Sequence, residues 1–178
     1  MQENDVIEQW NHEEQAVRAR LRPANAPRPT LRPAGLSGLE VLDAIFAGEL
    51  PPPPMGETLD FLPIRMTPGE AVFQGRPQRR HYNPLGTVHG GWFATLLDSA
   101  LGCAVHTCMP PGRGYTTAEL GVNLVKALTP RVPRVRAEGR VLHCGRQLAT
   151  AEARLVGPDG TLYAHATTTC LVFEATAR

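Results

Sequence analysis

The chain has 178 residues, 42% of them hydrophobic, and a formal net charge of +1 at pH 7. This length suits one domain with an appendage, and the apolar fraction is ordinary for a globular protein. A net charge so close to zero excludes a bulk electrostatic attraction to nucleic acid or to an anionic membrane surface.

No targeting or membrane-spanning pattern stands out. The first ten residues, MQENDVIEQW, are acidic and polar, unlike a secretory signal. The best apolar run, 92–105, is too short to cross a bilayer and contains Asp98. We therefore expect a cytoplasmic protein with neither a membrane nor a nucleic-acid partner.

The cysteines give no sign of a metal site or a disulfide framework. Cys103, Cys108, Cys144 and Cys170 form no CxxC pair, so reduced thiols packed as small apolar groups are expected. Cys103 and His106 stand three residues apart, but no second pair completes a zinc site. We expect neither a metal nor a cofactor.

The first third of the chain differs from the rest. Residues 1–22 predict a polar helix, and the proline-rich stretch 23–33 is expected to be extended and mobile. We interpret residues 1–35 as a partly mobile N-terminal extension. It shows no apolar stripe able to join a core, so we expect it to be dispensable for folding.

The second predicted unit, residues 36–178, opens with a short helix and a proline run over 36–55. Ser37 can cap this helix, Leu42, Ile45 and Phe46 share one stripe, and Pro51 to Pro54 end it. A helix this short is unstable alone, so it must dock on apolar surface. We expect its stripe to lie near the bound substrate and to set specificity.

The remaining pattern predicts an α+β fold. A helix over 90–107 is apolar on nearly every face, which is typical of a central buried helix. The other segments alternate apolar and polar residues, as strands of an antiparallel sheet with one buried face do. The predicted strands are 61–66, 70–76, 116–126, 134–143, 148–156 and 161–173. One long helix wrapped by such a sheet completes the architecture.

Asp98 is the most informative residue. It lies in the middle of the predicted central helix, between Leu97 and Ala100, where an unpaired carboxylate is costly to bury. Such a residue is a candidate for catalysis, and the structural alternative is that this helix face is simply exposed to water. The helix is entered through His89-Gly90-Gly91, whose free N–H groups favour developing negative charge.

The full string from Asn83 to Asp98 reads N-P-x-G-x-V-H-G-G-x-x-x-x-L-L-D and is followed by T-T-A-E-L-x-V-N from Thr116. Together with H-C-G-R at 143–146 and P-D-G-T-L-x-A-H-A-T at 158–167, it resembles the PaaI-type hotdog-fold acyl-CoA thioesterases over residues 56–173. The helix and its preceding loop are the distinctive part. The resemblance implies a long central helix wrapped by an antiparallel sheet, and homodimers that commonly pair into tetramers.

The resemblance also implies roles for individual residues. Asp98 matches the carboxylate that acts as general base or nucleophile, and the Gly90 N–H matches the donor that polarises the thioester. Asn83 matches a loop amide that places water or the acyl carbonyl, and His89 matches a histidine that shapes the oxyanion site. Thr117 matches a hydroxyl that orients the carboxylate or water, although the adjacent Thr116 is also possible.

The two ends of the substrate are less well defined in the sequence. The phosphates of CoA favour arginine, and Arg146 and then Arg131 are the candidates. Both are equally explained as solvated surface residues. An apolar or aromatic acyl pocket is suggested by four side chains, Leu50, Met55, Trp92 and Phe93.

The residues fit thioester hydrolysis independently, because that reaction needs a positioned water, a base and an oxyanion donor. No GxSxG motif is present, and Ser99 is expected to point away from Asp98. Two alternatives remain at this stage. One is a hotdog dehydratase or hydratase acting on acyl-CoA, and the other is a non-catalytic acyl-CoA-binding module.

Overall fold

The computed structural model of the protein describes residues 3–23, 25–27 and 35–175. Within them one antiparallel sheet has the strand order β1-β2-β4-β5-β6-β3. Its strands are β1 Phe61–Thr67, β2 Glu70–Gly75, β3 Arg113–Leu124, β4 Val135–Cys144, β5 Leu148–Val156 and β6 Leu162–Glu174. The helices are α1 Glu3–Arg18, α2 Gly38–Phe46, α3 Met55–Leu59 and α4 Gly90–Thr107.

The predicted α+β architecture is confirmed, with α4 as the central helix. Leu96, Leu97, Ala100 and Leu101 are fully buried between α4 and the sheet. On β5 the alternating residues Ala149, Ala151, Ala153 and Leu155 are buried, as the period-2 pattern predicts. One correction concerns β3, which begins at Arg113 and not at 116.

Small residues on the sheet let α4 lie directly against it. A Cβ atom at Gly139 of β4 would lie 2.4 Å from the carbonyl oxygen of Ala100. A Cβ atom at Gly75 of β2 would lie 2.6 Å from the side chain of Leu96. The path of α4 across the sheet therefore depends on glycine at these two positions.

Helix α2 docks on α4, as its shortness requires. Ser37 caps it, accepting a hydrogen bond from the Glu40 N–H, while the Glu40 carboxylate accepts one from the Ser37 N–H. A Cβ atom at Gly38 would lie only 1.8 Å from the carbonyl oxygen of His106, so the start of α2 touches the end of α4. Helix α3, just after the proline run, was not predicted from the sequence.

The predicted N-terminal helix is confirmed as α1, but the expectation that it lacks a stripe able to join the core is wrong. Trp10 and Val17 are buried, and Glu14 between them is only 3% exposed. The stripe was missed because its middle member is a carboxylate. Most of the proline-rich stretch, at positions 24 and 28–33, lies outside the described residues. Its predicted mobility therefore stays a prediction, as does the division at residue 35.

Glu14 is buried because the sheet supplies it with partners. One carboxylate oxygen accepts hydrogen bonds from Arg18 Nε at 2.9 Å and Arg76 Nη2 at 3.2 Å. The other accepts from Gln74 Nε2 at 2.8 Å and Arg134 Nε at 2.7 Å. A buried carboxylate is tolerated only when it is paired in this way, so Glu14 fixes α1 on β2 and on the residues that precede β4.

A second contact fixes α1 to β4. The guanidinium of Arg136 lies 4.4 Å from the centre of the Trp10 ring and donates to Glu13 at 2.5 Å. The same side chain donates to the buried amide of Gln74 at 2.9 Å.

Within the described residues, no helix is long and apolar enough to cross a membrane.

Glu14→Gln is expected to lower the free energy of unfolding by about 2–3 kcal/mol, because three arginines lose their shared carboxylate. Burial by itself raises the pKa of Glu14, but the hydrogen bonds from Arg18 and Gln74 and the charge of Arg134 outweigh it and hold the pKa below 4.5. A lowered pKa in the folded state gives stability that is present above pH 4.5 and is lost as the pH falls further.

Urea unfolding measured between pH 7 and pH 3 checks this expectation. The difference between wild type and Glu14→Gln should be largest near pH 7 and should shrink below about pH 4.5. Glu8→Gln is the matched control, since Glu8 is an exposed carboxylate on the same helix. An equal loss in both variants, or a difference that does not change with pH, would contradict the role given to Glu14.

Candidate active site

The carboxylate of Asp98 is held by the neighbouring strand. Asp98 is half-buried on α4, and its Oδ1 accepts a hydrogen bond from Thr117 Oγ1 of β3 at 3.2 Å. Successive side chains of a strand point to opposite faces, so Thr116 points to the other side of the sheet. The structure therefore brings together Asp98 and Thr117, and not Thr116.

Asp98 and Thr117 line a cavity of about 650 Å³. Its other polar groups on this side are Ser99 and Tyr115. The opposite walls come from the N-terminal third of the chain and are mainly apolar. They include Leu21, Pro23, Leu42, Ile45, Phe46, Pro52, Pro53, Met55, Phe61, Leu62, Pro63 and Met66. A largely apolar pocket with a few convergent polar groups is the usual form of a small-molecule site.

Two other nucleophile types line the same cavity, and neither is activated. Ser99 donates its hydroxyl hydrogen to the Thr95 carbonyl oxygen at 2.7 Å, and no basic side chain among the described residues is bonded to it. Burial, reinforced by the negative charge of Asp98, raises the pKa of the Cys103 thiol to about 12. That thiol stays protonated near neutral pH and is a poor nucleophile.

The loop before α4 is a tight hairpin built around Asn83. Asn83 Oδ1 accepts from the N–H groups of Leu85 and Thr87 at 2.9 and 3.2 Å, and Nδ2 donates to Thr87 Oγ1 at 3.0 Å. Tyr82 and Val88 form an isolated antiparallel bridge below it. These bonds of Asn83 hold the shape of the loop. One of the two Nδ2 hydrogens takes no part in them.

His89 closes this loop and caps α4. Its N–H donates to the His81 carbonyl at 2.7 Å, and its Nδ1 accepts from the Gly91 N–H at 2.8 Å. With Nδ1 acting as an acceptor, the neutral ring carries its proton on the exposed Nε2. Because the cap uses the N–H of Gly91, the N–H of Gly90 lies outside the capping bonds, at the positive end of the helix.

His81 is a positioning residue that the sequence reading missed. It is buried, and its ring stacks on Trp92 with 5.4 Å between ring centres. Burial and the charge of Arg80 lower the pKa of His81, so it is uncharged at the base of the loop. The only signal in the sequence that could have pointed to His81 is its position two residues before Asn83.

The predicted site residues therefore form two groups in one chain. Asn83, His89 and Gly90 meet at the start of α4, whereas Asp98 and Thr117 meet in its middle. Gly90 and Asp98 are eight residues apart on the helix, about 12 Å along its axis. An Asp side chain does not reach across that distance.

The two arginine candidates lie away from the Asp98 cavity. Arg146 is exposed beside a smaller cavity of about 270 Å³, where its carbonyl oxygen accepts a hydrogen bond from Arg113. Arg131 is exposed between β3 and β4, with its N–H on Thr129 Oγ1 at 3.4 Å. Their role toward CoA phosphates stays a prediction.

The suggested acyl-pocket residues are partly wrong. Met55 lines the cavity, but Leu50 does not. Trp92 and Phe93 are core residues, with Trp92 Nε1 donating to the Leu59 carbonyl at 2.9 Å. Leu42, Ile45 and Phe46 share the cavity with Asp98, and their predicted place beside the substrate stays a prediction. Across the described ranges, no cluster of three or more metal-ligand side chains occurs.

Comparison with known proteins shows which family the chain belongs to. The model of the thioesterase superfamily matches residues 85–164, which include α4 and Thr117 but begin after Asn83. A solved structure of a Thermus thermophilus protein is 30% identical, with a TM-score of 0.61 over 67% of this chain and 97% of that one. The chain is a PaaI-like member of the hotdog-fold thioesterase superfamily.

Two further relatives support this membership. A variant of the phenylacetic acid degradation protein PaaI from Thermus thermophilus is 29% identical, with a TM-score of 0.60 over 66% of this chain and 97% of that one. A candidate esterase from Pseudomonas aeruginosa is 33% identical over 82 residues, which are 46% of this chain and 55% of that protein. The chain thus spans about half the length of the curated relatives it matches.

Proposed function

We propose that the protein is an acyl-CoA thioesterase, which hydrolyses the thioester of an acyl- or aryl-CoA to the free acid and CoA. The observation that carries the proposal is the Asp98 carboxylate, oriented by Thr117 at 3.2 Å in a largely apolar cavity of about 650 Å³. Membership of the thioesterase superfamily supports the same reaction class.

The carboxylate has two routes to the same products. As a general base it takes a proton from a water molecule, whose oxygen attacks the thioester carbon. As a nucleophile it attacks that carbon itself, and water then hydrolyses the resulting anhydride. In both routes the C–S bond breaks, and the sulfur of CoA leaves as a thiolate that takes up a proton.

The negative charge that develops on the carbonyl oxygen needs a donor, and the Gly90 N–H is the best candidate. It lies at the helix N-terminus, where the backbone dipoles favour negative charge. A Cβ atom at this position would lie 2.9 Å from Leu124 Cδ1. The side chain of Leu124 therefore leaves little room for any residue larger than glycine. His89, with a proton on Nε2, and the remaining Nδ2 hydrogen of Asn83 complete the proposed oxyanion site.

The two groups of residues act together only if the site is shared between subunits. Two α4 helices packed antiparallel about a two-fold axis bring the start of one against the middle of the other, and the symmetry creates two equal sites. We therefore propose a homodimer in which Asn83, His89 and Gly90 come from one subunit and Asp98 and Thr117 from its partner. Two such dimers pair in the proposed tetramer.

The proposed contacts to the phosphates of CoA are Arg146 and Arg131, at the mouth of the CoA site.

Asp98→Asn is expected to lower kcat at least about a hundredfold, because the amide neither accepts the proton from water nor attacks the thioester. The two side chains have the same shape, so folding and oligomeric state should be unchanged. Release of CoA, followed with a thiol reagent over a panel of acyl-CoA substrates, measures the effect. Turnover close to wild type in the variant would exclude Asp98 as the catalytic carboxylate, and wild-type binding without any CoA release would favour a non-catalytic module.

Thr117→Val is expected to lower kcat about tenfold, because a hydrogen bond to a charged group contributes about 1.5–3 kcal/mol and this one orients the carboxylate. Thr116→Val is the matched control. It makes the same chemical change on the neighbouring residue, whose side chain points to the opposite face. Equal losses of kcat in the two variants would mean that Thr117 acts only through the stability of β3.

Subunit complementation tests the shared site. Asn83→Ala and Asp98→Ala chains, each inactive alone, are mixed, denatured and refolded together. Random pairing makes about half of the dimers mixed, and each mixed dimer has one intact site, so roughly a quarter of wild-type activity should return. Differently tagged chains verify the exchange. If mixed dimers form without any recovery, the two groups belong to one subunit's site and the proposed division is wrong.

A further inference from the structure

One wall of the Asp98 cavity lies outside the region that matches the thioesterase superfamily. The family match covers residues 85–164, whereas the cavity is also lined by residues 18, 21–23, 42, 45–46, 52–53 and 55–57. We call these lining residues, all of which precede the matched region, the added wall. What they contribute is mostly hydrocarbon, with Leu21, Leu42, Ile45, Phe46 and Met55 as the largest apolar side chains.

Contacts on both sides hold the added wall in place. Arg18 lines the cavity and bridges two carboxylates, donating to Glu14 at 2.9 Å and to Asp60 at 3.1 Å. Asp60 in turn accepts a hydrogen bond from Gln78, at the start of the loop that carries the oxyanion residues. The end of α1 is thus tied to the entry of β1 and to the base of that loop.

The segment after α1 is also packed against the end of α2. Arg22 Nη1 donates to the Glu49 carbonyl at 3.2 Å, and a Cβ atom at Gly48 would lie 2.5 Å from the carbonyl oxygen of Arg20. Gly48 has φ +75°, a backbone conformation that glycine adopts without strain. Leu21 and Ile45 therefore belong to two segments that contact each other, and both line the cavity.

The volume of the cavity in one subunit sets an upper limit on the size of the group it holds. A water-sized group occupies about 30 Å³, so about 650 Å³ has room for roughly twenty such groups. An acetyl group fills only a small part of that space. The arginines that reach the cavity from the N-terminal side offer little to a carboxylate at the acyl terminus, because Arg18 is already paired and Arg22 is bonded to a carbonyl.

We propose that the preferred acyl group is a medium-length apolar chain of roughly eight to twelve carbons, which runs from Asp98 to the added wall. Leu21 and Ile45 are its specificity-determining residues. The proposal rests on the thioesterase function proposed above, and it names the substrate class of the same site. Because each buried methylene favours binding, affinity rises with chain length until the wall is reached.

Binding measured separately from hydrolysis tests the proposal. Titration calorimetry with acetyl-, hexanoyl- and decanoyl-CoA is performed on Asp98→Asn, which keeps the ligands intact. Decanoyl-CoA is expected to bind at least about tenfold more tightly than acetyl-CoA. Leu21→Trp and Ile45→Trp, each added to that background, fill the far end of the cavity. Each should weaken decanoyl-CoA binding about tenfold and leave acetyl-CoA binding within about twofold.

Asp43→Trp is the matched control, since it adds the same bulk to an exposed position of α2 outside the cavity. Circular dichroism and melting verify that each variant is folded, and the two test positions lie on different segments in case one does not fold. Equal affinity for all three chain lengths overturns the proposal, as does a folded Leu21→Trp or Ile45→Trp variant with unchanged decanoyl-CoA affinity.

Hydrolysis by the wild-type chain distinguishes a failure of the thioesterase function from a failure of the acyl-pocket assignment. If it binds decanoyl-CoA tightly but releases no CoA, the thioesterase function fails and the pocket assignment stands. If CoA is released equally from all chain lengths with no change in the tryptophan variants, the function stands and the pocket assignment fails.

Discussion

The close approach of the central helix to the sheet determines the rest of the structure. Gly139 lies so near the backbone of α4 that a single added carbon would sit 2.4 Å from a helix carbonyl oxygen. This contact fixes how α4 crosses the strands, and the crossing places Asp98 beside Thr117 of β3. A larger residue at position 139 would push the helix away and separate the carboxylate from the hydroxyl that orients it.

The candidate site follows from helix geometry as much as from residue chemistry. A helix supplies positive polarity at its start and side chains along its length, but one helix presents Gly90 and Asp98 about 12 Å apart. In the proposed dimer, the antiparallel pairing of two copies removes that separation with no further residue. The hairpin around Asn83, and His81 stacked on Trp92 below it, hold the start of the helix and His89 in a defined position.

Much of this was predictable from the sequence, because the signals are local. Alternation over 148–156 and the nearly continuous apolar face of 90–107 predict their elements without any knowledge of contacts. Asp98 stands out because a carboxylate is unexpected among leucines and alanines. The choice between Thr116 and Thr117 was harder, because neighbouring residues of a strand point to opposite faces of the sheet.

The N-terminal segment shows where such reading fails. Glu14 looks like part of a solvated polar face, and only the sheet reveals the arginines and the glutamine that pair with it. Trp92 and Phe93 suggest a ligand pocket by their chemistry, but long-range packing puts them in the core. The wall built from residues near 21 and 45 depends on a contact between segments more than twenty positions apart, which no local pattern encodes.

The most direct test of the account is a crystal structure of the Asp98→Asn protein with an intact acyl-CoA bound. The account predicts a dimer in which the thioester carbonyl oxygen lies about 3 Å from the Gly90 N–H of one subunit. The thioester carbon should then face position 98 of the other subunit, with the acyl chain directed toward Ile45. A thioester bound away from position 98, or one whose carbonyl is held by donors of the same subunit that carries that position, would contradict it.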